Sequence, residues 1–176
     1  MKSARTKRSI LVLVSLVWLM CACAGPSKMM VEPPPFPEGF LSARWGMSVE
    51  DVKKAIAKDG NECYQDRLGT PPYAIYASGR YLDMPALFSY FFTPQSKKLY
   101  RVDVTFDDVR VHEKVRNHLL GRFGRPTYSR PDGDHWSWRD KSVTIFQLDQ
   151  THVQMSHFSG PLSVVNYEET TGCVLP

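Results

Sequence analysis

His112-Glu113 opens like the zinc-binding helix motif in which two histidines four residues apart hold the metal and the glutamate acts as base. The fourth residue after His112 is Arg116, so the second ligand is absent and the motif fails. His118, His135, His152 and His157 give no better set. His152 and His157 are five apart in a β-prone stretch, which puts them on opposite faces of a strand. All five histidines are expected at the surface or its rim. Asp132-Gly133-Asp134-His135 mixes carboxylates with imidazole, but Asp-Gly is a turn signal between strands. Ser156-His157 is adjacent, which points the two side chains apart on a strand. No Gly-x-Ser-x-Gly elbow and no phosphate-cradling glycine loop occurs. The expectation is a chain with no catalytic residue, no metal site and no cofactor.

The most suggestive segment is aromatic and basic. Arg122, Arg125, Tyr128, Arg130, Trp136, Trp138 and Arg139 fall within eighteen residues. Arg, Tyr and Trp are the side chains of interface hot spots and cation–π pairs. Arg125, Tyr128, Arg130, Trp136 and Arg139 are therefore the candidate partner-binding residues. Aromatic rings also stack on sugars, which keeps peptidoglycan in view. At strand period two, Trp136 and Trp138 share a face, and that face reads as core. A binding surface then rests mainly on the arginines and Tyr128.

The start of the chain fixes the compartment. Lys2, Arg5, Lys7 and Arg8 precede an apolar run from Ile10 to Met20, broken only by Ser15. This is the layout of a signal peptide, here residues 1–22. It is short for a membrane span, which needs about 20 apolar residues. Met20-Cys21-Ala22-Cys23 resembles a bacterial lipobox, with small Ala22 before Cys23 and Met20 in place of the usual Leu. The resemblance implies lipidation of Cys23, with Cys21 the less suitable alternative. Ala24 in place of Asp after Cys23 implies sorting to the outer membrane. More than one acyl chain would make that anchor stable. Cleavage also alters the charge. The chain carries 22 basic and 18 acidic residues, and losing the four leader cations leaves 18 of each. The neutral mature protein gives no reason to expect nucleic acid.

Cys63 and Cys173 then remain, and an even pair in an oxidising compartment points to a disulfide between them. The other reading is one buried thiol and one on a mobile tail. No second Cys or His stands at metal-ligand spacing from either.

The elements that would position these residues come next. Pro26, Pro33, Pro34, Pro35 and Pro37 make residues 23–39 an extended tether, spanning roughly 50 Å if taut at about 3.1 Å per residue. Residues 40–160 are the expected single domain, and 161–176 a C-terminal tail. Ser48 can cap a first helix, with Asp51 three residues on and Met47 and Val52 placed for a hydrophobic staple. Val49, Val52 and Ile56 line its face, and Gly60 can end it. Strands are expected over Tyr73–Ser78, Leu87–Phe92 and Leu99–Phe106, with alternation that leaves Arg101, Asp103 and Thr105 on a wet face. A second helix is capped by Asp107 or Asp108, carries the row Val111, Val115, Leu119, and ends at Gly121 or Gly124 before Pro126. Trp136–Arg139, Val143–Leu148 and Val153–Phe158 read as three more strands. The fold class is α+β: an antiparallel sheet with two helices, in a tandem helix-then-three-strands pseudo-repeat.

Trp45-Gly46-Met47-Ser48-Val49-Glu50-Asp51-Val52 at a helix leading to such a sheet resembles small envelope lipoproteins of the BamE/SmpA type. The tandem arrangement is similar to the β-lactamase-inhibitor-protein fold, and Phe123-Gly124-Arg125-Pro126 matches the Gly-x-Pro that follows the helix in such modules. The first helix departs from this, since Asp59-Gly60-Asn61 has no Gly-x-Pro. The implied role is a non-enzymatic binding or scaffold module on the periplasmic face of the outer membrane, held through its N-terminal lipid. Its expected partner is an envelope protein, with peptidoglycan second and an envelope hydrolase as the rival class.

Overall fold

The Ser48 prediction locates the first well-defined element of the computed structural model, which describes residues 37–131, 133–138, 142–148 and 152–174. Helix α1 spans Val49–Lys58, and the Ser48 hydroxyl accepts the Asp51 N–H as an N-cap. Gly60, at φ 73°, turns the chain out of the helix. Val52, Ala55 and Ile56 are buried, while Trp45 and Met47 pack half-buried against the same core. Ahead of α1 a small hairpin, β1 (Gly39–Phe40) with β2 (Ala43–Arg44), inserts Phe40 into that core. Only glycine fits at position 39, because a Cβ there would collide with the Ala43 carbonyl oxygen.

Four strands follow α1: β3 (Glu62–Arg67), β4 (Ala74–Tyr81), β5 (Met84–Phe92) and β6 (Leu99–Phe106). A short 3₁₀ turn over Val109–Val111 leads into α2 (His112–Phe123), which ends at Gly124 rather than Gly121. Four more strands come next: β7 (Tyr128–Arg130), β8 (Gly133–Trp138), β9 (Ser142–Leu148) and β10 (Val153–Ser159). The chain closes with α3, Gly160–Thr171. All eight strands from β3 onward form one antiparallel sheet in the order β3-β4-β5-β6-β10-β9-β8-β7. The α+β class and the antiparallel pairing agree with the sequence reading.

Three details differ. Among the described residues there are three helices rather than two, and four strands follow each of α1 and α2 rather than three. The expected tail at 161–176 is largely α3, started by the Ser159 hydroxyl accepting the Leu162 N–H, with Pro161 in the first turn. Strands β3 and β7 escaped notice because all their residues are exposed, so neither shows an apolar alternation.

One face of the sheet carries the core. Ile75, Ala77, Phe88, Tyr90, Val102, Val104, Phe106, Met155 and Trp136 join the buried residues of α1 and Val115, Leu119 and Phe123 of α2. The opposite face carries the alternate residues, among them Leu87, Phe91, Arg101, Asp103, Gln154 and Phe158. Helix α3 packs against β6, β9 and β10, and its far end reaches the β5–β6 turn. Among the described residues no helix is long and apolar enough to cross a membrane. Residues 1–36, with the expected signal peptide, the lipidation candidate Cys23 and most of the expected tether, lie outside the described residues, as does Arg139.

Candidate functional site

The aromatic–basic segment divides into a buried half and an exposed half. Trp136 is on the core face of β8 and only 2% exposed. Its indole N–H donates to the Gly124 carbonyl at 2.9 Å, which pins β8 to the C-terminus of α2. Its ring lies 6.3 Å from Phe123, and Trp138 meets the same Phe123 edge-on at 5.0 Å. Trp136 is thus unavailable to a partner, and its place in the candidate set is corrected: at period two it faces α2.

Arg125 is exposed just beyond α2, and Tyr128 and Arg130 are exposed on β7. Strand β7 ends the sheet, so its outer backbone edge pairs with no strand of the described chain. Tyr128 and Arg130 share the face away from the core, since Ser129 pairs with core-facing Asp134. The Arg130 Nε–H donates to the Tyr128 hydroxyl at 2.9 Å, and its guanidinium stacks 5.1 Å from the Tyr128 ring. His135, paired with Tyr128 across β7 and β8, meets its ring edge-on at 5.8 Å. The result is a row, Arg130–Tyr128–His135, held before any partner arrives.

Buried charge holds that row in place. Asp134, 5% exposed, accepts the Arg116 Nε–H at 2.7 Å and the Ser129 hydroxyl at 2.6 Å. One carboxylate thereby ties α2 to both β7 and β8. The Asp132-Gly133 turn signal masks this role of Asp134, because its partner Arg116 is eighteen residues away.

A second polar group sits on the sheet face opposite α1 and α2. The Arg101 guanidinium lies between the Phe91 ring at 5.0 Å and the Phe158 ring at 4.8 Å. It forms a two-point pair with buried Asp103 at 2.7 and 2.6 Å, and Gln154 donates to the same carboxylate at 3.1 Å. The alternation of β6 put Arg101 and Asp103 on one face. The pairing of Phe91, Phe158 and Gln154 across from them needed the sheet order.

His157 is not at the surface. It occupies the core face of β10, 2% exposed, with Nδ1 2.8 Å from the Thr144 hydroxyl and its ring against Phe40 at 5.3 Å. Its Nε2 has no hydrogen-bond partner. Burial, with Arg122 and His118 nearby, pushes its pKa down to about 3. It is therefore a neutral core residue, placed there because β10 lies in the middle of the sheet rather than near an edge.

The expected disulfide is not formed in this structure. Cys63 and Cys173 are free and exposed. Cys63 lies on edge strand β3, paired with Ala77 of β4, whereas Cys173 follows α3, whose end is clamped to the β5–β6 turn. Bridged cysteines need Cα atoms within about 7 Å. Burial pushes the Cys63 thiol pKa up, against the pull of Lys53.

The fold and this surface define a helix-backed antiparallel sheet whose exposed β7 end carries a preformed aromatic–guanidinium row. The chain matches no protein-family model, no characterised protein and no solved structure.

Proposed function

We propose that this chain is an outer-membrane lipoprotein, anchored through Cys23, whose domain binds another envelope protein at its β7 end without catalysing a reaction. The observation that carries the reading is β7 itself: an outermost strand with Tyr128, Ser129 and Arg130 all exposed. Such an edge offers backbone donors and acceptors to an added strand, while Tyr128, Arg130 and Arg125 supply side-chain specificity. Helix-plus-strands runs on either side, meeting through β6 and β10, support reading the domain as a duplicated unit. They also support the likeness to the β-lactamase-inhibitor-protein fold and to BamE/SmpA-type lipoproteins.

A photo-crosslinking side chain placed at Tyr128 in the lipidated protein tests the binding surface in the native envelope. One defined envelope protein should be captured there, and not from the same probe at exposed Gly69. The Arg125→Ala/Arg130→Ala pair should abolish the adduct. Equal capture from both positions, or an adduct that survives the double substitution, removes β7 as the interface. Covalent attachment of muropeptides instead would transfer the surface to the cell wall. The anchor is tested separately: Cys23→Ala should lose palmitate labelling and leave the membrane fraction. Undiminished labelling moves the lipid to Cys21 or ends the lipoprotein reading.

A further inference from the structure

A slot of about 340 Å³ opens where the C-terminal half of α3 faces the ends of β5 and β6. Its two walls are chemically unlike. One presents Tyr73, Phe91 and Tyr100, all half-buried. The other presents Asn166, Glu169 and Thr170, which at i, i+3 and i+4 stand on one face of α3.

Both walls are held. The Lys97 ammonium sits 3.6 Å over the Tyr73 ring and donates to the Leu68 carbonyl at 3.1 Å. The Glu169 carboxylate accepts the Gln95 N–H at 2.6 Å and the Ser96 N–H at 3.1 Å, which clamps α3 to the β5–β6 turn. Burial raises the Glu169 pKa, but hydrogen bonds from Ser96, Gln95 and Thr93 outweigh it and leave the carboxyl below its ordinary value. Glu169 is therefore ionised at neutral pH.

The polar wall is rich in acceptors. A carboxylate accepts only and has about four acceptor positions; that of Glu169 gives two to the Gln95 and Ser96 amides, and the Ser96 and Thr93 side chains also draw on it. Thr170 has given its hydroxyl proton to the Asn166 carbonyl at 2.6 Å, so it meets a ligand as an acceptor. Asn166 adds an amide oxygen and two N–H donors. The occupant must therefore bring hydrogen-bond donors on one side and an apolar face on the other.

We propose that this slot binds a pyranose ring of a glycan chain. A pyranose has C–H groups on its face, which pack on aromatic rings, and hydroxyls around its edge, which donate to Thr170 and Asn166. The volume lies at the small end of the range for ligand sites, about 300–1,000 Å³. Aromatic grooves also take proline-rich segments. Proline has no N–H, so such a segment offers carbonyl acceptors to a wall that is itself mainly acceptor. The chemistry of the wall favours the sugar. The slot is built from α3 and the β5–β6 end, remote in the sheet order from β7, so it stands or falls apart from the β7 interface.

The test uses the full-length protein in a detergent that carries no sugar. Saturation-transfer NMR with the β-1,4-linked trimer of N-acetylglucosamine should show transfer to its ring protons. Maltotriose serves as a second glycan, and a synthetic peptide of residues 26–37, with its own prolines, as the non-sugar rival. Asn166→Ala and Thr170→Val lie on the helix surface and should leave the fold intact. Each should weaken trimer binding roughly three- to tenfold, the worth of one net hydrogen bond. Tyr100→Ala should abolish transfer. Binding of the trimer alone assigns an amino-sugar glycan, and binding of both oligosaccharides assigns the pyranose class. Both support the slot if the substitutions weaken them. Transfer to neither sugar, transfer untouched by all three substitutions, or binding of the proline peptide alone overturns it.

Discussion

The sheet is built differently on the two sides of the β6–β10 seam. Toward β3, the core under α1 is mainly apolar: Val52, Ala55 and Ile56 share it with Ile75, Ala77, Phe88 and Phe92, and its polar atoms are those of Asn61 and the Tyr90 hydroxyl. Toward β7, the same face carries polar groups under α2, namely Thr144, His157 and Asp134, and the indole N–H of Trp136. The first side is held by burial, which is non-directional and tolerant. The second depends on specific partners, each costly to leave unmade. Asp134 must meet Arg116, and Trp136 must meet Gly124. The side carrying the proposed interface is thus the side with the more exacting construction, and the difference should show in how each responds to substitution and to pH.

The largest effect is expected from Trp136→Ala. It empties a space under α2 and leaves the Gly124 carbonyl without its donor, at a cost of about 3–5 kcal/mol in denaturant unfolding. A cost under about 1 kcal/mol would return Trp136 to the surface and erase the contrast. On the apolar side, Ile56→Ala should cost about 2–5 kcal/mol, and equally at pH 7 and pH 5.

Acid should separate the sides next. The His157 pKa is pushed from an ordinary 6.5 down to about 3. The unfolded chain takes up this proton below about pH 6.5 while the folded chain does not, so stability is complete above that pH and falls as pH drops toward about 3. Between pH 7 and pH 5 the loss should be about 2 kcal/mol, at up to about 1.4 kcal/mol per pH unit. His157→Leu should flatten this slope whatever it does to stability at pH 7. An unchanged slope in that variant would place the titrating group elsewhere.

The smallest effect belongs to the clamp at the end of α3. Glu169→Gln should cost below about 1 kcal/mol, as near-surface charges do. It should nonetheless speed hydrogen exchange at the Gln95 and Ser96 amides, since they lose a charged acceptor. Because the Glu169 carboxyl is held below its ordinary value of 4.5, its contribution is present above that pH and lost as pH falls further. Exchange at these amides unchanged by the substitution would mean that α3 is held by packing alone.

Where a local rule and the burial pattern agreed, the sequence was enough. Helix α1 was legible because Ser48, Asp51, Val52, Ile56 and Gly60 fall at cap and face positions. Strand β6 was legible because Tyr100, Val102, Val104 and Phe106 alternate with Arg101, Asp103 and Thr105, although the second face is not wet at Asp103, which is buried against Arg101. Helix α3 had signals too, in Ser159, Pro161 and the C-terminal Gly172 at φ 72°. Against them stands a weak apolar face, and none of its residues is buried. Strands β3 and β7 carried no apolar signal at all, because an edge strand needs only backbone partners on one side.

The sequence by itself determined the α+β class and the apolar face of most central strands, since each is a matter of composition or short-range period. Only the tertiary structure decided the rest. Sheet order put β10 at the centre and so buried His157, and it set Phe158 and Gln154 beside Arg101 and Asp103. It placed Cys63 on an edge away from α3, turned Trp136 inward and left Tyr128 and Arg130 out. The physical reason is that a strand's period says which residues share a face, while its neighbours and coverage are set by pairings between segments tens of residues apart, which no local pattern encodes.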